Sequence, residues 1–211
     1  MPVEQLGDWG ARYLTIIAGK LSQKVSEDTD GAIKREYDID GNKGVKWELR
    51  YKNLSGFITW IEFKQSDYGE MCIVTIEQNW EVDKLTINTD SRYFADLGRK
   101  ISNIDLSKTV FINPYDFEKN GKQIRWLDIK QDWEKITDAY YDWETKKTKK
   151  GFPAVSDEDK KKYDKDDWKM FFIQIKKYLK AEMEKIEFPT VDTGVKIEEK
   201  EDELSVEDLP F

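Results

Sequence analysis

Residues 55–65 read SGFITWIEFKQ, a run that alternates along a period of two, which suits a strand and not a helix. By that count Phe57, Thr59, Ile61 and Phe63 share one face, and Ile58, Trp60, Glu62 and Lys64 share the other. The first face carries enough apolar surface to be core. The same habit fills the first two thirds of the chain. RYLTIIAGKLSQKV (12–25) is β-branched and aromatic, with a glycine inside that marks a bulge or a sharp bend. AIKREYDIDGNKGVKWELRYK (32–52) reads as a hairpin turning through Asp40, Gly41, Asn42, Lys43 and Gly44. MCIVTIEQNW (71–80) and KLTIN (84–88) follow, and later KTVFINPYDF and KQIRWLDIKQ are joined by the turn EKNG.

Two stretches carry helical spacing instead. DSRYFADLGRKISNI (90–104) has Asp90 as candidate N-cap and Tyr93, Phe94, Leu97 and Ile101 on one side. DDWKMFFIQIKKYLKAEMEKIEF (166–188) sets Trp168, Phe171, Phe172, Ile175, Leu179 and Met183 in one apolar stripe, and Pro189 stops it. The charged segment 144–167 has little pattern, and no internal repeat is visible. Short strands with one helix inserted midway are compatible with an OB-fold-like Greek-key β-barrel, closed by a long C-terminal amphipathic helix. Sandwiches and other mixed β folds share the pattern. The expected division is a folded domain over 1–189 and a disordered acidic tail over 190–211.

Composition removes several function classes. The chain has no histidine and one cysteine, Cys72, so there is no Cys/His zinc site, no internal disulfide and no histidine general base. No apolar run approaches a membrane span, and MPVEQLGDWG lacks a leader's basic start and apolar run. The single cysteine suits a reducing cytoplasm. Net charge is −8, but residues 190–211 hold eight acidic and two basic residues, so −6 of it sits there and −2 on the rest. A nearly neutral body can still carry a basic groove, so the acidic sum does not exclude nucleic acid.

Aromatic residues are 13% of the chain. Phe57, Phe63, Phe111, Phe171 and Phe172 read as core. Trp60 differs, because its strand face also carries Glu62 and Lys64 while the opposite face suffices for a core. Arg50 and Lys52, with Lys46, share the polar face of the preceding strand. A ring among cations on a strand face can stack an unpaired base while the cations follow phosphates; packing into a second apolar contact is the competing reading. Tyr115 and Phe117 before a turn, with Lys122, Arg125 and Trp126 after it, make a similar group, or simply an aromatic-capped hairpin. DIDGNKG (38–44) begins like a calcium loop, but Leu49 stands where the bidentate glutamate belongs. No glycine-rich phosphate loop, nucleophile elbow or separated carboxylate pair suggests catalysis. The chain reads as a binder without cofactor or metal.

The last residues, EDLPF, place an apolar tip on a solvated acidic segment. A ring stiffened by proline beside a carboxylate gives a partner protein an apolar handle and a charged one. The tip Asp208, Leu209, Pro210 and Phe211 resembles that of the bacterial single-stranded DNA-binding protein family, which ends in Asp-(Ile/Leu)-Pro-Phe after an acidic linker. The body resembles phage-encoded single-stranded DNA-binding proteins instead, through LTIIAGKLSQKV, GAIKREY, LSGFI, IDLSKTVFINPYDFEKNGKQ, GFPAV and the closing aromatic helix. The resemblance implies an OB-fold, single-stranded DNA binding in phage replication, recombination or repair within the host cytoplasm, and recruitment of partner proteins through the tip. It leaves oligomeric state open. The alternative is an adaptor or virion-associated protein that recruits host replication factors through the same tail without touching DNA.

Overall fold

The computed structural model describes residues 10–39, 42–67, 69–142, 144–145, 147–149 and 151–189. Strands dominate them: β1 (Ala11–Ile17), β2 (Lys20–Val25), β3 (Ile33–Ile39), β4 (Asn42–Tyr51), β5 (Leu54–Ser66), β6 (Gly69–Gln78) and β7 (Glu81–Asn88) come first. Helix α1 (Arg92–Lys100) and a 3-10 turn (Ile101–Asn103) precede β8 (Val110–Lys119), β9 (Lys122–Gln131) and β10 (Glu134–Lys135). The two-residue strands β11 (Tyr141–Asp142) and β12 (Lys147–Thr148), the short α2 (Asp157–Lys160) and the long α3 (Lys165–Met183) complete the order. The protein is therefore mainly β. No described helix is long and apolar enough to cross a membrane.

Strands β1–β10 form one mixed sheet in the order β10-β9-β8-β5-β6-β7-β1-β2-β4-β3. Every ladder is antiparallel except that of β1 on β7. The expected closed barrel is not found among the described residues. The free edge of β7 is taken by β1, and β9 pairs with β8 and β10, so the sheet stays open. A half-buried ion pair between Arg12 and Asp83, 71 residues apart, anchors the parallel ladder with two bonds of 2.7 and 2.8 Å. Arg12 also reaches Glu81 at 2.9 Å.

The run 12–25 does not bulge but folds back at Ala18-Gly19, giving β1 and β2 as a hairpin. Gly19 has φ +70°, and a Cβ there would stand 2.4 Å from the Asp116 amide nitrogen, so the turn sits directly on β8 and draws that arm inward. In β5, Gly56 has φ +153° and lies so close to β6 that a Cβ would meet Glu77 O at 2.7 Å. A bulge between Ile58 and Trp60 follows. The extra residue resets the alternation. Ile58 and Ile61 both turn inward and are buried, whereas Phe57, expected in the core, is 41% exposed on the outer face. The hairpin over 32–52 forms as expected but turns more tightly, since Asn42 already pairs with Ile39 and Gly44 lies within β4 opposite Tyr37.

The inner face of the sheet supplies Leu14, Leu21, Ile58, Val74, Ile76, Leu85, Ile112, Leu127 and Ile129 to the core. Each such side chain contributes about 1.5–3 kcal/mol on burial. Helix α1 lays Phe94 and Leu97 on that surface, the 3-10 turn adds Ile101, and α3 packs on α1 with Leu179 against Gly98. The α1 N-cap is Ser91, whose Oγ accepts from Phe94 N at 3.2 Å; Asp90, the expected cap, instead receives Lys176 at 2.8 Å. Only Ile175, Leu179 and Met183 of the α3 stripe are buried. With nine residues against nineteen, α1 covers about half the length of α3. Phe172 lies beyond it, exposed and stacked on Trp168, and is not a core residue. Helix α3 also ends earlier than expected, in a turn where the Ile186 amide donates to the Met183 carbonyl at 3.2 Å, and Ile186 and Phe188 pack on the core. The charged segment before it is pinned by Phe152, stacked on Tyr140 at 5.1 Å and edge-on to Tyr178.

Candidate nucleic-acid interface

Because paired residues in adjacent strands share a face, register alone assembles the outer surface. One rank runs Trp60, Thr75, Lys84, Tyr13 across β5, β6, β7 and β1. The next runs Glu62, Ile73, Thr86, Thr15, Ser22, Arg50 across six strands. Trp60 and Tyr13 are 54% and 52% exposed, three strand spacings or about 14 Å apart. Between them Lys84 lies over the Tyr13 ring at 5.4 Å. The Arg12–Asp83 pair on the opposite face holds β1 to β7 and so places Tyr13 beside Lys84.

Trp60 thus faces outward with Glu62 and Lys64, as the alternation predicts for those three, and its ring lies 5.6 Å from Phe188. Lys64 is bridged to Glu62 at 2.9 Å. Arg50 and Lys46 do share a face, but Arg50 is five strands from Glu62, about 24 Å along the sheet. Arg50 stands 3.8 Å from Glu48, a buried carboxylate that also accepts from Arg35 at 2.5 Å. Lys46 lies over the Tyr37 ring at 4.9 Å. Lys52 is not on a strand face; it sits exposed in the bend between β4 and β5.

The β8–β9 hairpin carries the second group. Tyr115 and Trp126 are register partners with rings 5.1 Å apart, and Phe117 meets Trp126 edge-on at 5.1 Å. Their face continues to Phe111, which is not core but lies outward and stacks on Trp133 at 5.3 Å. Lys122 is exposed at the hairpin tip opposite Lys119. Arg125 does not join this face. Neighbours along a strand point to opposite sides, and Arg125 pairs at 3.1 Å with Asp116, which also receives Gln123. Tyr93 ties the hairpin to α1 by donating its hydroxyl to the Tyr115 carbonyl at 3.2 Å. Burial raises the Tyr93 pKa, so the hydroxyl keeps its proton.

The nine residues expected from strand faces therefore divide. Trp60 and Lys64 lie on one part of the outer surface and Arg50 on another, while Tyr115, Phe117, Trp126 and Lys122 line the hairpin. Lys52 sits at a bend and Arg125 faces the other way. Asp208, Leu209, Pro210 and Phe211 lie outside the described residues. Sequence reading missed Tyr13 and Lys84, which become neighbours of Trp60 only through the parallel ladder. It also missed the exposed Trp80 and Trp133, for which a recurring tetrapeptide was available as a signal. Comparison with protein-family models, curated proteins and solved structures returns no match.

Proposed function

We propose that this protein binds single-stranded DNA without catalysing a reaction. The observation that carries the reading is the outer rank in which Trp60 and Tyr13, both more than half exposed, flank Lys84 on one rigid surface. Exposed rings stack unpaired bases whatever their sequence, and cations between them meet the phosphates. Arg50, Lys46 and Arg35 extend positive charge along the same face.

The path of the chain supports an OB-like plan. The meander β5–β6–β7, helix α1 and hairpin β8–β9 follow one another, and β5 pairs with both β6 and β8. In this plan β1 occupies the edge of β7 that a closed barrel would give to β9. Residues 190–211, with their acidic run and Asp-Leu-Pro-Phe tip, would recruit replication, recombination or repair proteins, consistent with a phage-encoded protein working in its host's cytoplasm.

Titration of fluorescent oligo-dT at two salt concentrations, with and without magnesium, tests the reading. Binding should weaken steeply with salt and leave the DNA intact with magnesium present. Absence of binding at low salt would refute it, and cleavage would overturn its non-catalytic part.

A further inference from the structure

Two hairpin turns of this chain differ in one residue of four. Gln78-Asn79-Trp80-Glu81 joins β6 to β7, and Gln131-Asp132-Trp133-Glu134 joins β9 to β10. In both, the outer residues are register partners and the central two have positive φ: 50° and 70° at Asn79 and Trp80, 51° and 67° at Asp132 and Trp133. These are type I′ turns, in which Asn or Asp suits the first central position and glycine the second. Tryptophan is the exception there, since its Cβ crowds the backbone in the left-handed region. Packing offsets little of that cost, because Trp80 is 94% exposed and Trp133, though stacked on Phe111, is 81% exposed. The same local conflict at the same turn position, twice, points to use.

Both turns lie on one rim of the sheet. Ser55 Oγ donates to Gln78 at 2.8 Å, Ser55 is the register partner of Phe111, and Phe111 stacks on Trp133. From the middle of the β6–β7 turn to the middle of the β9–β10 turn is four strand spacings, about 19 Å, so the two rings stand at separate points along the same end of the sheet. Trp133 has Phe111 beside it, whereas Glu77 and Glu81 flank the Trp80 turn and lysines gather at the Trp133 end. Lys130 is the register partner of both Phe111 and Lys135, the two lysines share Asp128 at 3.9 and 3.7 Å, and Lys108 bridges Asp132 at 2.7 Å. Two highly exposed rings set apart along a rim, one of them beside lysines, suit unpaired bases; a protein partner would call for a contiguous apolar patch.

We infer that Trp80 and Trp133 are two stacking posts for unpaired bases, carrying single-stranded DNA from the outer face over the end of the sheet, with Lys130 and Lys135 meeting the phosphates beside Trp133. The inference rests on the single-stranded DNA reading above.

The test uses Trp80→Gly and Trp133→Gly in the full chain. Asn-Gly and Asp-Gly are the favoured type I′ pairs, so both hairpins should be kept and the Tm of Trp80→Gly should equal or exceed wild type. Affinity for oligo-dT of about 20 nucleotides should fall about tenfold for each variant and about a hundredfold for both, whereas oligo-dT of about 6 nucleotides should bind each as it binds wild type. Folded glycine variants with wild-type affinity for the longer strand would overturn the inference, while a loss in Trp60→Ala would leave the broader reading standing. A changed oligomeric state with unchanged DNA affinity would also overturn it, making the rings a protein contact. If wild type binds neither oligonucleotide, the broader reading has failed and this one falls with it.

Discussion

Trp60 and Tyr13 reach one rank by different means, a bulge in β5 for the first and the Arg12–Asp83 pair for the second. Their contributions to binding and to stability should therefore separate. Trp60→Ala and Tyr13→Ala should each weaken oligo-dT binding by about 1–3 kcal/mol with the fold intact, read by anisotropy and by circular dichroism. A folded Trp60→Ala with wild-type affinity would assign that ring to packing on Phe188. Arg12→Ala should act the other way round, through the fold. It leaves the nearly inaccessible Asp83 carboxylate without its partner, at a cost of about 1–3 kcal/mol in chemical denaturation. Cys72, fully buried, has its thiol pKa pushed up to about 12 by that burial. The native protein should accordingly resist alkylation at pH 8 and react only when unfolded. Since the folded state holds this proton more tightly than the unfolded chain, the contribution to stability is lost as pH rises towards 12.

At the scale of elements, α3 is held by the buried Ile175, Leu179 and Met183 and, along its flank, by Lys176 and Lys180 on Glu70 of β6. The hydrogen bond to Glu70 raises the Lys180 pKa. A raised folded-state pKa stabilises below the ordinary lysine range and is lost as pH climbs through the folded value, so α3 should loosen in strong alkali and not near neutrality. Near-ultraviolet circular dichroism of wild type and Glu70→Gln checks this, and an identical alkaline transition in both would refute it. Strand and helix identities were legible because periods of two and of 3.6 are local, as SGFITWIEFKQ and the α3 stripe illustrate. The bulge after Ile58 was not, since it depends on how β5 must bend around β6, and it exchanged Phe57 for Ile58 in the core. The β1–β7 ladder was equally hidden, being made between distant strands, and Tyr13 and Lys84 entered the site only through it. Trp60 was legible because its strand already had a sufficient apolar face. Arg125 was misjudged because a cluster in sequence ignored the alternation that turns it towards Asp116.

At the scale of the whole molecule, the described chain ends where the proposed DNA path begins, with Phe188 beside Trp60 and Pro189 lining one cleft with Phe57 and Thr59. Residues 190–211 follow directly in sequence, and their net −6 should compete with phosphates for the same cations. Deleting residues 204–211 removes Glu207 and Asp208 and should raise oligo-dT affinity at low salt, with the gain shrinking as salt screens the attraction. The described fold should be untouched, because that segment lacks the apolar periodicity of a core element. Phe211→Ala keeps the charges, so DNA affinity should stay near wild type while binding of replication or recombination proteins is mostly lost, the ring being the only large group at the tip. Measuring both properties on both variants separates electrostatic competition from partner recognition. If Phe211→Ala instead unfolds the body or severely weakens DNA binding, the ring is a structural plug, and the tail belongs to the fold rather than to its partners.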